Sequence, residues 1–160
     1  DAYALTRAAD RGIPSEVVRR KDFEDQAAYE DALASLMREN KIDLIVLAGF
    51  MSILSKTFTD RFPQRMINIH PSLIPSFCGK GFYGIHVHEA ALRYGVKVSG
   101  ATVHFVNEIP DGGQIIRQKA VPVLPGDTPE SLQKRVMEEA EWIILPEATE
   151  EIAARLLAEA

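Results

Sequence analysis

Excess positive charge, paired cysteines and long apolar runs are all missing from this 160-residue sequence. Lys and Arg number 18 against 23 Asp and Glu, and a formal net charge of −5 argues against a general nucleic-acid-binding face. No apolar run approaches the roughly 20 residues of a membrane-spanning helix. Cys78 has no second cysteine for an intramolecular disulfide, which is typical of a reducing compartment. We therefore predict a cytoplasmic chain with neither nucleic acid nor membrane as a partner.

What the sequence does contain is an alternation of helical and extended patterns. The content of 46% hydrophobic and 26% charged residues suits one globular domain, which we predict over residues 1–160. Periodicity and end signals predict helices at 2–11, 22–39 and 87–94, a last helix capped by Thr128, and strands at 43–49, 65–70, 97–107 and 114–123. This order predicts an α/β fold with a largely parallel sheet flanked by helices.

Asn68 and His70 stand at the end of the second predicted strand. Because they are two residues apart, both side chains point to the same side of an extended segment. An amide can donate to a developing oxyanion and an imidazole can carry a proton, so the pair suits acyl transfer. The alternative is structural, with Asn68 ending the strand and His70 capping a turn before Pro71. Spacing alone leaves both interpretations open.

Asp111 lies in a Pro-Asp-Gly-Gly turn after a later predicted strand. An aspartate before two glycines commonly serves the turn alone. If the loop folds back to His70, the carboxylate would raise the pKa of the imidazole and fix its tautomer. Sequence separation does not decide between these two roles.

Several other motifs match functional patterns weakly. The run Gly79–Gly84 has the form GxGxxG, but a proline-containing segment separates it from the preceding strand, against a dinucleotide-binding loop. His86 and His88 lack further ligands at zinc-binding spacing. Cys78 is predicted to be an inert small hydrophobe and Trp142 to belong to the core. None of these motifs predicts a metal or nicotinamide cofactor.

Four sequence blocks carry a resemblance to a known family. AGFMSIL, INIHPSLIPSF, GATVHFVNEIPDGG and QKAVPVLPGDTPESL occur in this order, and the similarity runs roughly from Asp1 to Pro146. Together they resemble phosphoribosylglycinamide formyltransferase, the folate-dependent glycinamide ribonucleotide transformylase of purine synthesis. The resemblance implies a three-layer, Rossmann-like formyltransferase fold. Methionyl-tRNA formyltransferase and formyltetrahydrofolate deformylase share the Asn, His and Asp set.

The resemblance assigns catalytic roles to Asn68, His70 and Asp111. It implies attack of the glycinamide amine on the formyl carbon of 10-formyltetrahydrofolate, with no metal. Asn68 and protonated His70 would stabilise the oxyanion, and Asp111 would keep His70 charged.

Binding residues are implied in the same way. The folate pocket falls on Met51, Ser52, Ile53, Leu54, Asn68, Asn107, Glu108, Ile109 and Pro110. Gln26 stands where the family has a basic residue that meets the folate. An acidic contact to the glycinamide ribonucleotide falls on Glu141, or on Glu139 if the alignment is shifted by one residue.

One departure concerns the chain ends. The family begins with a strand and a Gly-Ser-Asn phosphate loop, neither of which precedes Asp1 here. We therefore expect a domain that is incomplete at the N-terminus and also at the C-terminus. The resemblance is compatible with a homo-oligomer. Alternatives are formyltetrahydrofolate hydrolysis, formylation of another amine, and an inactive fragment that binds folate.

Overall fold

The computed structural model describes residues 2–159. The two end residues of the predicted domain, Asp1 and Ala160, lie outside the described residues. The chain forms two compact units, Asp1–Lys41 and Ile42–Ala160. Among residues 2–159, no helix has both the length and the apolar character that a bilayer crossing requires. The single domain over residues 1–160 stays a prediction.

The first unit is helical. It contains α1 (Tyr3–Ala9), a 3-10 turn (Arg20–Asp22) and α2 (Gln26–Glu39). Asp25 caps α2, because its carboxylate accepts a hydrogen bond from the Ala28 N–H at 2.8 Å. The helix predicted from residue 22 therefore begins at Gln26, four residues later.

The second unit alternates strands and helices. Its elements are β1 (Ile45–Leu47), α3 (Lys56–Thr59), β2 (Met66–His70), α4 (Ile85–Tyr94), β3 (Val98–Phe105), β4 (Ile115–Pro122), α5 (Pro129–Val136), a π-helical turn (Met137–Glu141) and α6 (Trp142–Glu159). The predicted cap of the last helical region is confirmed, since Thr128 and Ser131 form a reciprocal capping box. The π-helical turn was not predicted.

The α/β class is confirmed, but the expectation of a largely parallel sheet is wrong. The strand order is β1-β2-β3-β4, with β1 and β2 parallel. The pairs β2–β3 and β3–β4 are antiparallel. A hydrogen-bonded turn at Ile109–Gly112 lies in the connection between β3 and β4, and a Cβ at Gly113 would overlap the Phe105 carbonyl. The glycine therefore permits the close approach of the two chain segments at this end of the pair.

The two faces of the sheet differ in polarity. Ile67, Ala101, Val103 and Val121 belong to the core cluster that also contains the buried residues of α5 and α6. Full burial of an aliphatic side chain contributes roughly 1.5–3 kcal/mol, so this face is a main source of stability. Because side chains alternate along a strand, the intervening residues face the other side.

Candidate active site

Register brings the predicted pair Asn68 and His70 together with two residues of β3. Asn68 lies opposite His104 and His70 lies opposite Thr102 in the antiparallel pairing of β2 and β3. Directly opposed side chains share one face of a sheet. His70, His104 and Thr102 are all buried, at 4%, 2% and 0% exposure. A polar cluster thus lies on the face opposite the apolar core.

Both ring nitrogens of His70 face hydrogen-bond acceptors. Nε2 lies 2.9 Å from the Phe77 carbonyl, and Nδ1 lies 3.5 Å from Asp111 Oδ2. Burial lowers the pKa of His70 below its usual value, although the Phe77 carbonyl and Asp111 act in the opposite direction. The loop therefore folds back as considered, but the carboxylate does not raise the pKa overall, because desolvation is the larger effect.

Asp111 is held in place by a backbone donor and lies beside two histidine rings. Its φ of 56° is left-handed, a conformation that aspartate tolerates better than most residues. The Gly79 N–H donates to Oδ2 at 2.8 Å, and His104 Nε2 lies 3.5 Å from Oδ1. Burial raises the pKa of Asp111, but the hydrogen bond from Gly79 and the nearby rings of His70 and His104 together lower it. Asp111 is therefore an anion beside His70.

His104 is a member of the cluster that the sequence reasoning missed. Its Nδ1 lies 2.7 Å from the Phe105 carbonyl, which can only accept, so Nδ1 carries the proton. In this tautomer Nε2 accepts from Asn68 Nδ2 at 3.2 Å. A sequence signal for His104 was available. Thr102 and His104 are two residues apart on a predicted strand just before Asp111, the same spacing as Asn68 and His70.

Apart from Asn68 on β2 and Gln26 on α2, the predicted folate residues lie in two loops of the second unit. Met51 and Ile53 follow β1 and are exposed, whereas Leu54 is buried. In the 107–110 loop, Asn107 Oδ1 accepts from the Ile109 N–H at 3.0 Å, and the Ile109 side chain is exposed. That loop, with Glu108 and Pro110, leads directly into Asp111.

Gln26 belongs to the other compact unit. Its Nε2 donates to Glu30 Oε1 at 2.8 Å. Its contact with folate stays a prediction.

The π-helical turn ends at Glu141, the predicted ribonucleotide contact. Burial raises the pKa of the Glu141 carboxyl, whereas the side chain of Glu139 is exposed. Trp142 is 61% exposed, so the prediction that it belongs to the core is wrong. The turn interrupts the regular helical spacing on which that prediction rested. Single π turns occur frequently at functional sites.

The weak motifs have structural environments. Gly79, the first glycine of the GxGxxG run, donates to Asp111 and so belongs to the histidine cluster. The Cys78 thiol donates to the Pro75 carbonyl at 3.3 Å, and burial raises its pKa, which disfavours the reactive thiolate. His86 pairs with Glu89 at 2.9 Å on the surface.

Comparison with known proteins identifies the family. Residues 1–149 match the family described as Formyl transferase. The chain belongs to this formyl transferase family. It is 42% identical over 146 residues to phosphoribosylglycinamide formyltransferase of Haemophilus influenzae, covering 91% of the chain and 66% of that relative. It is also 45% identical over 150 residues to the human trifunctional purine biosynthetic protein adenosine-3, covering 94% of the chain and 14% of that protein.

Solved structures of formyl transferases share the fold. Phosphoribosylglycinamide formyltransferase from Brucella melitensis superposes with a TM-score of 0.85 at 44% identity, covering 96% of this chain and 76% of that one. The enzyme of that name from Streptococcus pneumoniae gives a TM-score of 0.86 at 39% identity, with coverages of 95% and 81%. The Rossmann-like fold implied by the sequence resemblance is thereby confirmed.

Proposed function

We propose that this chain transfers the formyl group of 10-formyltetrahydrofolate to the amine of glycinamide ribonucleotide, in purine synthesis. The observation that carries the proposal is the meeting of Asn68, His70 and Asp111 in one cluster. Family membership and the names of the relatives support the choice of reaction. We place the reaction in the cytoplasm, because a single cysteine suits a reducing compartment.

In this proposal, His70 carries the proton. Burial disfavours the charged form of His70 in the ligand-free chain. The Phe77 carbonyl and the Asp111 carboxylate can both accept hydrogen bonds from the charged ring. As the amine nitrogen bonds to the formyl carbon, negative charge on the formyl oxygen favours the imidazolium, so His70 takes the proton that the amine loses. Asp111 stabilises this charge. When the bond from the formyl carbon to the folate nitrogen breaks, His70 returns the proton to that nitrogen.

Asn68 supplies the oxyanion donor. One N–H of its amide is directed at His104 Nε2, which fixes the orientation of the amide group. The second N–H of the same nitrogen is then available to the formyl oxygen. A preorganised donor of this kind typically contributes about 3 to 4 kcal/mol to lowering the barrier.

We assign the folate ring to the loops that hold Met51, Ser52, Ile53, Leu54 and Asn107–Pro110. The exposed apolar side chains of Met51, Ile53 and Ile109 suit a flat aromatic ring. We assign the glycinamide end of the ribonucleotide to Glu141. Its raised pKa reports a partly desolvated carboxylate, which would gain from pairing with an ammonium or amide group.

The test is formyl transfer by the purified chain, measured by chromatography of the formylated amine and of free formate. We expect turnover with glycinamide ribonucleotide and its loss in His70→Ala. The matched control is His86→Ala, because His86 is an exposed histidine whose contacts are with the nearby Glu89 and Tyr83. Free formate without formylated amine would replace the proposal with hydrolysis. Absence of turnover from folded protein that still binds a folate analogue would make this chain a binding fragment.

A further inference from the structure

The polar row to which His70 belongs extends across three strands. His70 of β2 lies opposite Thr102 of β3, and Thr102 lies opposite Gln118 of β4. The proposed reaction uses His70 but gives no task to Thr102 or Gln118. Thr102 is fully buried, whereas Gln118 is exposed.

The Thr102 hydroxyl uses its full hydrogen-bonding capacity. It donates to the Ser72 carbonyl at 2.7 Å. It accepts from the Ile74 N–H at 3.1 Å and from Gln118 Nε2 at 3.0 Å. One donor and two acceptor sites are all that a hydroxyl has. A buried group satisfied in this way holds its partners in a defined geometry.

Gln118 adds a further contact to the same segment. Its Nε2 also donates to the Ile74 carbonyl at 3.0 Å, so both hydrogens of the amide nitrogen are bound. Within the segment, the Ser72 hydroxyl donates to the Ser76 carbonyl at 2.5 Å. The backbone at Ser72 and Ile74 is therefore tied to the sheet through Thr102 and Gln118, a pair that we call the 102/118 clamp.

The segment fixed by the clamp leads directly to the reacting groups. Phe77 follows Ser76 and presents its carbonyl to His70 Nε2 at 2.9 Å. Gly79 follows two residues later and donates its N–H to Asp111 at 2.8 Å. A displacement of residues 72–76 would therefore move the two backbone groups that contact His70 and Asp111.

We propose that Thr102 and Gln118 are positioning residues that hold the 72–76 segment so that Phe77 and Gly79 meet His70 and Asp111. The proposal rests on the proposed function only in taking His70 and Asp111 as the reacting pair. The clamp itself is a property of the folded chain, so it can be tested without turnover.

The experiment follows the ring N–H of His70 by NMR in the chain with ¹⁵N-labelled histidine, the signal being assigned by its loss in His70→Ala. Gln118→Met removes both amide donors, and Thr102→Val removes the hydroxyl. We expect solvent exchange of the Nε2–H to become at least tenfold faster in both variants. Thr102→Ser, which keeps the hydroxyl, should restore slow exchange. The matched control is Lys119→Met, the adjacent residue of β4, whose side chain faces the other side.

Unchanged exchange in Gln118→Met at an unchanged melting temperature would overturn the role of Gln118, since this exposed site tolerates substitution. Because Thr102 is fully buried, Thr102→Val can also lower stability, and its exchange rate is therefore compared with that of Thr102→Ser. A lower melting temperature in Thr102→Val with slow exchange retained would reduce Thr102 to a structural residue. Where the wild-type chain turns over, Gln118→Met should lower kcat with KM changed less than twofold. Absent turnover would refute the proposed function, while the exchange measurement would still decide the clamp.

Discussion

The two faces of the sheet use neighbouring residues of the same strands in different ways. On β3, Ala101 and Val103 belong to the apolar core, whereas Thr102 and His104 belong to the polar cluster. All four side chains are buried, so burial does not distinguish the two pairs. What distinguishes them is whether the side chain needs a hydrogen-bond partner. The apolar side chains need only to fill space, but each polar one must find a hydrogen-bond partner. The comparison predicts that substitutions on one face alter activity and those on the other alter stability.

The largest expected effect is on the polar face. Asn68→Ala removes the proposed oxyanion donor, so we expect turnover to fall by about 10²- to 10³-fold. The melting temperature should fall only modestly, because the lost hydrogen bond to His104 costs about 1 kcal/mol. Steady-state kinetics alongside thermal unfolding checks both expectations. A large loss of stability with normal turnover per folded molecule would remove the distinction between the faces at this position.

The next largest effect is on the pH dependence of stability, and it comes from a second buried histidine. His88 of α4 is 1% exposed, and its Nδ1 has no hydrogen-bond partner among residues 2–159. Burial, with a smaller contribution from His70, lowers its pKa to about 4. Between pH 6.5 and 4, His88 is protonated in the unfolded chain but remains neutral in the folded chain. The free energy of unfolding therefore falls as the pH falls. We expect a loss of about 2 to 3 kcal/mol over this range, allowing for solvent screening.

Denaturant unfolding at several pH values measures this dependence. His88→Leu should flatten the curve between pH 6.5 and 4. The remaining slope reports His70, whose pKa is also lowered by burial. An unchanged slope in His88→Leu would show that the proton uptake occurs elsewhere.

On the apolar face, Val103→Ala should affect stability alone. Val103 is fully buried, and removing its methyl groups costs about 2 kcal/mol through lost burial and the remaining cavity. Turnover per folded molecule should stay within twofold of the wild type. Chemical denaturation and kinetics at a temperature well below the transition test the two parts. A tenfold loss of turnover here would mean that the core face controls the position of His104.

Local patterns were enough to predict the strand Met66–His70 and the Thr128 cap, because each depends on neighbouring residues. They also placed Asn68 and His70 on one side. They did not reveal His104, because its approach to Asn68 depends on the register of two strands 36 residues apart. Similarly, the contact between His70 and Asp111 depends on how the turn at Asp111 folds.

The mixed sheet and the exposed Trp142 escaped prediction for related reasons. Strand direction is set by the path of the connecting segments, which composition does not encode. The π-helical turn at Met137–Glu141 shifts every later residue around the helix axis, so a constant helical period misplaces Trp142. Prediction therefore failed where a long-range pairing or a local irregularity replaced a regular repeat.

The smallest expected effect lies at the start of α5, the helix that covers the apolar face. Thr128→Ala removes the oxygen that accepts the Ser131 N–H at 3.2 Å, one half of the capping box. A cap of this kind is worth about 1 kcal/mol, and the Asp127–Arg135 ion pair beside it remains in place. Thermal unfolding should show a modest decrease, with Thr128→Ser as the matched control. Because the cap stabilises only the apolar layer, a change in turnover would show that the two faces are coupled through α5.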